Sequence, residues 1–238
     1  MGNLQLNNEE IKSFYNELEN IWAEDDLWHQ YSRNKIEWCL KKNCFSDNSY
    51  VLNAGSGGNN YGLNCKQHHV DIADKKISHL ELFSVASIEN LPFENDCFDS
   101  IICVGSVINY CDAMQAISEL SRVIKKKGIL ILEFENSSGY EYKNKPVFKT
   151  AADITQVIFQ NTIHTQWLYS YPYIKGLIAQ YGFEIRKKYF FHILSSYMLY
   201  KGYDERKASR FAKFDKVLQW IPIINKHANN VILVCEKS

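Results

Sequence analysis

The sequence carries no excess of charge. Twenty-seven Lys and Arg balance 27 Asp and Glu over 238 residues, so no overall field would draw the chain to DNA, RNA or an anionic membrane, and a small neutral partner or another protein suits it better. Nor is there an apolar run near the roughly 20 residues that a membrane span needs. The opening "MGNLQLNNEE" lacks the basic-then-apolar layout of a signal peptide, so the expected location is cytoplasmic. Gly2 stands where an acylation signal would begin, but Leu6 occupies the position that signal reserves for Ser or Thr. The seven cysteines are odd in number and include no CxxC pair, which fits reduced thiols better than a disulfide framework. Cys65, His68 and His69 fall short of the four ligands of a closed zinc site, and no metal is expected. No internal repeat or low-complexity tract interrupts the chain.

What is present is apolar content of 46%, enough for one large core with a small cap. Residues 7–40 read as two helices. Asn7 and Glu10 have capping-box spacing, and Ile11, Phe14, Tyr15, Leu18, Ile21 and Trp22 recur near a period of 3.6. From residue 50 the texture changes. "YVLNA", "HHVDI", "ELFSVA", "DSIICV" and "GILILEF" are strand-like, several too apolar to have a wet face, as in a parallel sheet covered on both sides. "DAMQAISELSRVIKKKG" between the last two is a crossover helix, so the fold class is α/β, a doubly wound and mostly parallel sheet. Further on, "AADITQVIFQN" is compatible with a short helix, "TIHTQWLYS" with a strand, and residues 204–219 with a final helix before the strand "NVILVCE". The expected organisation is one domain: a helical cap at 1–45, a core at 50–136, a cap insertion at 137–170, and closing helices and strands at 171–238.

The stretch "VLNAGSGGNNYG", residues 51–62, is a strand running into a glycine turn. In a doubly wound sheet that turn lies at the carboxyl edge, where ligands bind, and glycine lets backbone approach a ligand with no Cβ in the way. Asp71, 16 residues after Gly55, ends the next strand, where a carboxylate can hold both hydroxyls of a ribose. A nucleoside is the natural ligand. A dinucleotide is disfavoured, because the third glycine position is Asn60 and only a turn or two of helix fits before the next strand.

The ordered pieces "VLNAGSGG", "VDIAD", "SIENLPFENDCFDSIICVGSVINY" and "LSRVIKKKGILILEFEN" resemble the motifs of class I S-adenosylmethionine-dependent methyltransferases, in particular the small-molecule branch resembling methyltransferase type 11. The resemblance covers about residues 50–136 and implies a Rossmann-like seven-stranded sheet whose last strand is antiparallel. It implies S-adenosyl-L-methionine as cofactor. By position it assigns Asn53, Ala54, Gly55, Ser56 and Gly57 to the methionine part, Asp71 to the ribose, Ile72, Ser87 and Ile88 to the adenine, and Val104, Gly105 and Ser106 to the region of the sulfonium. Asn53 stands where the family has an acidic residue, Asn59 where it has a third glycine, and Ser87 where it has Asp.

Methyl transfer from a sulfonium is a direct displacement, so the protein mainly aligns donor and acceptor and excludes water. A base is needed only where the acceptor must lose a proton. His29 and His164 are the candidates, since both lie in cap segments and titrate near neutrality; Tyr110 and Asn109 follow the fourth strand, where relatives touch the acceptor. Tyr15 can serve the sulfonium by cation–π attraction, and Trp22, Trp28, Tyr31, Trp167 and Tyr169 crowd the segments expected to cover it. The expected function is methyl transfer to O or N of a small, partly aromatic or apolar acceptor held in a pocket with few charges, by a monomer or homodimer. The departures at Asn53 and Asn59 keep open a degenerate methyltransferase fold acting as a binding or scaffold subunit, and a nicotinamide-dependent oxidoreductase is the remaining alternative.

Overall fold

A computed structural model describes residues 6–43 and 45–238. The first five residues of the expected cap, Gly2 among them, and Cys44 lie outside the described residues. The chain runs α1 (Asn8–Glu17), α2 (Leu27–Lys42), β1 (Tyr50–Ala54), β2 (Lys66–Asp71), α3 (Asp74–Ile77), β3 (Phe83–Val85), β4 (Phe98–Cys103), α4 (Ala113–Val123), β5 (Ile124–Glu135), β6 (Ala152–Phe159), β7 (Thr162–Tyr169), α5 (Tyr171–Gln180), β8 (Phe183–Phe191), α6 (Leu194–Tyr200), α7 (Glu205–Ser209), α8 (Asp215–Leu218), α9 (Pro222–Asn225) and β9 (Asn230–Lys237). Seven strands form one sheet in the order β3-β2-β1-β4-β5-β9-β8. Pairings are parallel from β3 to β5, while β9 runs antiparallel to both β5 and β8. This is the sheet expected from the apolar strands. Its order reverses between β1 and β4, which opens a crevice at their carboxyl ends.

Successive strand residues point to opposite faces, and each face has its own core. Leu52 and Ile101 pack with Ile117 and Leu120 of α4 and Ile174 and Ile178 of α5. Their neighbours Val51 and Ile102 pack with Ile36, Cys39 and Leu40 of α2. Hence α2 is a fixed layer of the fold. α1 differs, burying only Ile11. It is capped by Asn7, which accepts from the N–H groups of Glu9 and Glu10, and Asn16 ties it to α3 through a bond to Asp74 Oδ1 and one from Lys75 N–H, both 3.0 Å.

Two expectations are corrected. Residues 152–159 form strand β6, not a helix; β6 pairs antiparallel with β7 across Gln160 and Asn161, both at positive φ, the geometry of a two-residue hairpin turn. Pairing with a strand outside the window decided this, which local periodicity cannot register. The single helix expected at 204–219 is broken into α7, a 3-10 turn and α8. The break follows from Asp215, fully buried, whose carboxylate accepts from the N–H groups of His192 and Ile193 at 2.6 and 3.2 Å and so serves the backbone entering α6.

Candidate active site

The turn after β1 is held from inside. Gly55 N–H donates to Val70 O at 2.7 Å and Gly57 N–H to Asp71 Oδ2 at 2.8 Å, while Asp71 Oδ1 accepts from Ala73 N–H at 2.8 Å. Gly55 has φ 70°, and a Cβ there would lie 2.3 Å from Val107 Cγ1, so glycine is needed for both conformation and clearance. Asn53 Nδ2 donates to Asn59 O at 2.8 Å and Gln67 Oε1 at 2.9 Å. The residue expected to face a methionyl ammonium therefore clips the turn, and neither Asn53 nor Ala54 lines the cavity that the turn borders.

That cavity collects most of the sequence candidates. Gly55, Ser56, Gly57, Asp71, Ile72, Ser87, Ile88, Val104, Gly105 and Ser106 line it, together with Tyr15, Trp22, Trp28, His29 and Tyr110. Ser87 is already engaged, donating to Glu89 Oε2 at 3.0 Å. At the end of β4, Gly105 and Ser106 take φ of 84° and 58°. Their N–H groups converge on Glu133 Oε2 at 2.9 and 2.6 Å, and Asn230 Nδ2 reaches Glu133 Oε1 at 2.8 Å. Burial pushes the Glu133 carboxyl up to about 7 despite these donors.

The remaining candidates lie elsewhere. Tyr31 donates to Ala212 O at 2.8 Å. Asn109 is fully buried and bridges β5 to β7 by donating to Trp167 O at 2.8 Å and accepting from Glu135 N–H at 2.9 Å. The Tyr169 hydroxyl donates to Cys111 O at 2.6 Å, and Trp167 stacks on its ring. His164 is buried with Nε2 unpartnered, its ring 4.1 Å from that of Phe14, and burial lowers its pKa. None of these five lines the cavity; they were chosen by segment, and side-chain direction turned them into packing.

His29 and Tyr110 reach the cavity in protonation states that do not suit a base. His29 Nδ1 lies 2.6 Å from Asp26 Oδ2. Burial opposes the imidazolium, but that bond and the Asp26 charge outweigh it and hold the His29 pKa above its ordinary value. Burial pushes the Tyr110 phenol well above its ordinary value, leaving a hydrogen-bond donor. Asp26, His29 and Glu205 also place one possible ligand atom each within 4.8 Å of one another. At Cys65, His68 and His69, by contrast, His68 is committed to Tyr50 and Ser84 at 2.9 Å each.

Sequence reasoning missed the acidic part of the wall. Glu133, Glu135, Glu141 and Glu205 line the same cavity, with Gln166, Asn229 and Asn230. Tyr142 and Gln166 donate to Glu135 Oε2 at 2.6 and 2.8 Å. Glu141 is raised to about 7 by burial and then by the Glu135 charge. The expected pocket with few charges is thus corrected. The signal was present in "GILILEFEN": two carboxylates at period 2 in a strand otherwise apolar, near its carboxyl end.

Residues 46–132, from just before β1 through most of β5, match the family described as a methyltransferase domain. Fold and match together support one class, the class I S-adenosylmethionine-dependent methyltransferases, with the family match covering the core from β1 into β5. Among its relatives, the uncharacterized protein MJ1252 of Methanocaldococcus jannaschii is 26% identical over 74% of this chain and 76% of its own. The ubiquinone/menaquinone biosynthesis C-methyltransferase UbiE of Geotalea daltonii is 33% identical over 41% of this chain and 35% of its own, so the matched stretch spans about a third of that enzyme. In fold, the geranyl diphosphate C-methyltransferase of Streptomyces coelicolor aligns with a TM-score of 0.59 at 11% identity, over 97% of this chain and 98% of its own. Among the described residues no helix is long and apolar enough to cross a membrane.

Proposed function

We propose that this enzyme transfers the methyl group of S-adenosylmethionine to an oxygen or nitrogen of a small-molecule acceptor by direct displacement. The observation that carries the reading is one continuous cavity joining the Gly55–Gly57 turn and Asp71 to the aromatic and acidic wall. Donor and acceptor would then share one space from which water is excluded, and alignment supplies most of the catalysis. In this reading Asp71 accepts from the ribose hydroxyls, Ile72 and Ile88 cover the adenine, and Ser87 faces its amine. Val104, Gly105 and Ser106 border the methionyl chain and sulfonium. The rings of Tyr15, Trp22 and Trp28 lie in the same wall, where aromatic faces favour a sulfonium. Tyr110 donates a hydrogen bond. The whole chain acts as one domain on a free small molecule rather than on nucleic acid. The UbiE relative matches 41% of this chain, and its C-methylation is its own chemistry.

Calorimetry tests the donor side. S-adenosylhomocysteine should bind and NAD should not; the reverse result would overturn the reading. Methyl transfer to an accepted substrate, followed by mass spectrometry, should persist in EDTA, because the displacement needs no Lewis acid and His29 Nδ1 is already held by Asp26. Loss of turnover in EDTA with recovery on one divalent ion would contradict this.

The division between α1 and α2 makes a second test. Removing residues 1–20 takes away α1, which buries only Ile11 but lines the cavity through Ile11 and Tyr15; the melting temperature should move by a few degrees while turnover is lost. Removing residues 1–42 also strips Ile36, Cys39 and Leu40 from the core, at about 1.5–3 kcal/mol for each large side chain. That comes close to a typical total stability, so no cooperative melt should remain. Full turnover in the shorter deletion would refute a covering role for α1.

A further inference from the structure

Five carboxylates line the cavity (Asp71, Glu133, Glu135, Glu141 and Glu205), and among the described residues no Lys or Arg does, in a chain whose total charge is zero. The donor's sulfonium and ammonium carry two positive charges and its carboxylate one negative, so a bound donor offsets only one of these acids. Asp71 and Glu133 are occupied with the turn and the end of β4. Glu135, Glu141 and Glu205 are left. Their charges act on one another: Glu141 is raised by both Glu135 and Glu205, with Lys145 and His29 opposing.

A second observation points the same way. Asn229 and Asn230 are 2% and 5% exposed, both line the cavity, and the carbonyl oxygen of each has no partner among the described residues. The nearby donors serve other groups: Tyr142 and Gln166 donate to Glu135 Oε2 and Asn230 Nδ2 donates to Glu133 Oε1. Buried acceptors without donors cost free energy until something supplies N–H groups. Among the described residues the wall is a set of acceptors with no Lys or Arg, and its one imidazole, His29, is bonded to Asp26.

We infer that the acceptor is an amine that enters as its ammonium ion, held by Glu135 and Glu205, with Glu141 receiving the proton that the nitrogen must lose. The inference rests on the donor reading above. A protonated amine has N–H groups for the orphaned oxygens and charge for the carboxylates, and the rings of Trp22 and Trp28 suit an organic cation. Burial brings the titration of Glu141 to about 7, where a base is most useful, and Glu133 and Glu135, unlike Glu141, are already tied down by donors from Asn230, Tyr142 and Gln166. The step balances: an N–H proton passes to Glu141, the freed lone pair forms the C–N bond, the C–S bond breaks, and the sulfonium becomes a neutral thioether. The product leaves as the N-methylammonium ion, and Glu141 gives its proton to solvent before the next turnover.

The test uses the intact protein saturated with S-adenosylhomocysteine, titrated with phenethylamine, tryptamine and 1,4-diaminobutane, and with 2-phenylethanol and phenylacetic acid as neutral and anionic counterparts. The amines should bind and the counterparts should not. With S-adenosylmethionine, an amine should be methylated; Glu205→Gln should raise its KM by at least about tenfold, the loss of one hydrogen bond to a charged group, and Glu141→Gln should lower kcat by at least about a hundredfold, the loss of a general base. Affinity for S-adenosylhomocysteine should stay within about twofold, which excludes a merely unfolded variant. Equal or tighter binding of the alcohol or acid, no binding by any amine, or an unchanged KM in Glu205→Gln together with an unchanged kcat in Glu141→Gln would overturn the inference. If S-adenosylhomocysteine itself fails to bind, the donor reading falls instead.

Discussion

Replacing Asp71 with Ala is expected to weaken S-adenosylhomocysteine binding by at least about tenfold while the protein stays folded. The carboxylate has two duties. It fixes the glycine turn by accepting from Gly57 N–H and Ala73 N–H, both at 2.8 Å, and its remaining lone pairs are available to ribose hydroxyls. Each hydrogen bond to a charged group contributes roughly 1.5–3 kcal/mol, so losing the ribose bonds alone accounts for a factor of ten or more. Loss of the anchor adds to this, because Gly57 sits at φ 52° and its N–H is given to that carboxylate. Burial raises the Asp71 pKa, and the backbone donors at Ala73, Gly57 and Ile72 counter that shift. Asp71→Asn should fall between wild type and Ala, since an amide keeps one acceptor oxygen but turns a donor toward another donor. Calorimetry with a thermal melt on each variant decides the matter. Wild-type affinity in Asp71→Ala would dismiss the ribose assignment.

Glu133→Gln is expected to change stability in a strongly pH-dependent way. Burial lifts the folded pKa of Glu133 from 4.5 to about 7, so between those values the folded protein keeps a proton that the unfolded chain has released. The stability this gives is full below about pH 4.5 and is lost as pH rises through 7. Glutamine does not titrate. The gap between variant and wild type should therefore move in the variant's favour by up to about 3 kcal/mol from pH 4.5 to pH 7.5, at 1.36 kcal/mol for each unit of difference. A glutamine side chain can be accommodated here, because the Asn230 carbonyl oxygen is unpartnered, and turning that amide would let it accept from the new NH2 group. Glu133→Ala lacks this route and leaves the N–H groups of Gly105 and Ser106 bare, so it should be the less stable variant at every pH. Urea denaturation of the three proteins at both pH values reads the effect. A gap that does not move with pH would mean that Glu133 is ionised throughout.

The glycine-turn side of the cavity was legible in the sequence because its information is local. Strands in a doubly covered parallel sheet must be apolar on both faces, as "DSIICV" and "GILILEF" are. The glycine turn and Asp71 occupy successive strand ends, so spacing alone puts them at one edge. Gly55 shows the limit of that reading. Its positive φ was readable from residue type, while its clearance from Val107, 52 positions away, was not.

The opposite, acidic wall was decided by tertiary structure. Asn109, Trp167 and Tyr169 lie in segments that cover the site, yet long-range hydrogen bonds turned them into supports. The acidic wall is drawn from β5, the loop after it, the start of α7 and the start of β9, pieces that share no spacing. A carboxylate in sequence is most often a solvated surface group, so composition reported only that acids and bases balance. The sheet order brings Glu133 and Asn230 together because β5 pairs antiparallel with β9, and burial then makes their polar atoms costly unless a partner is found. The sequence by itself determined the parallel core and the glycine turn and Asp71 at its carboxyl edge; only the folded chain decided that the cavity beside them is lined with acid.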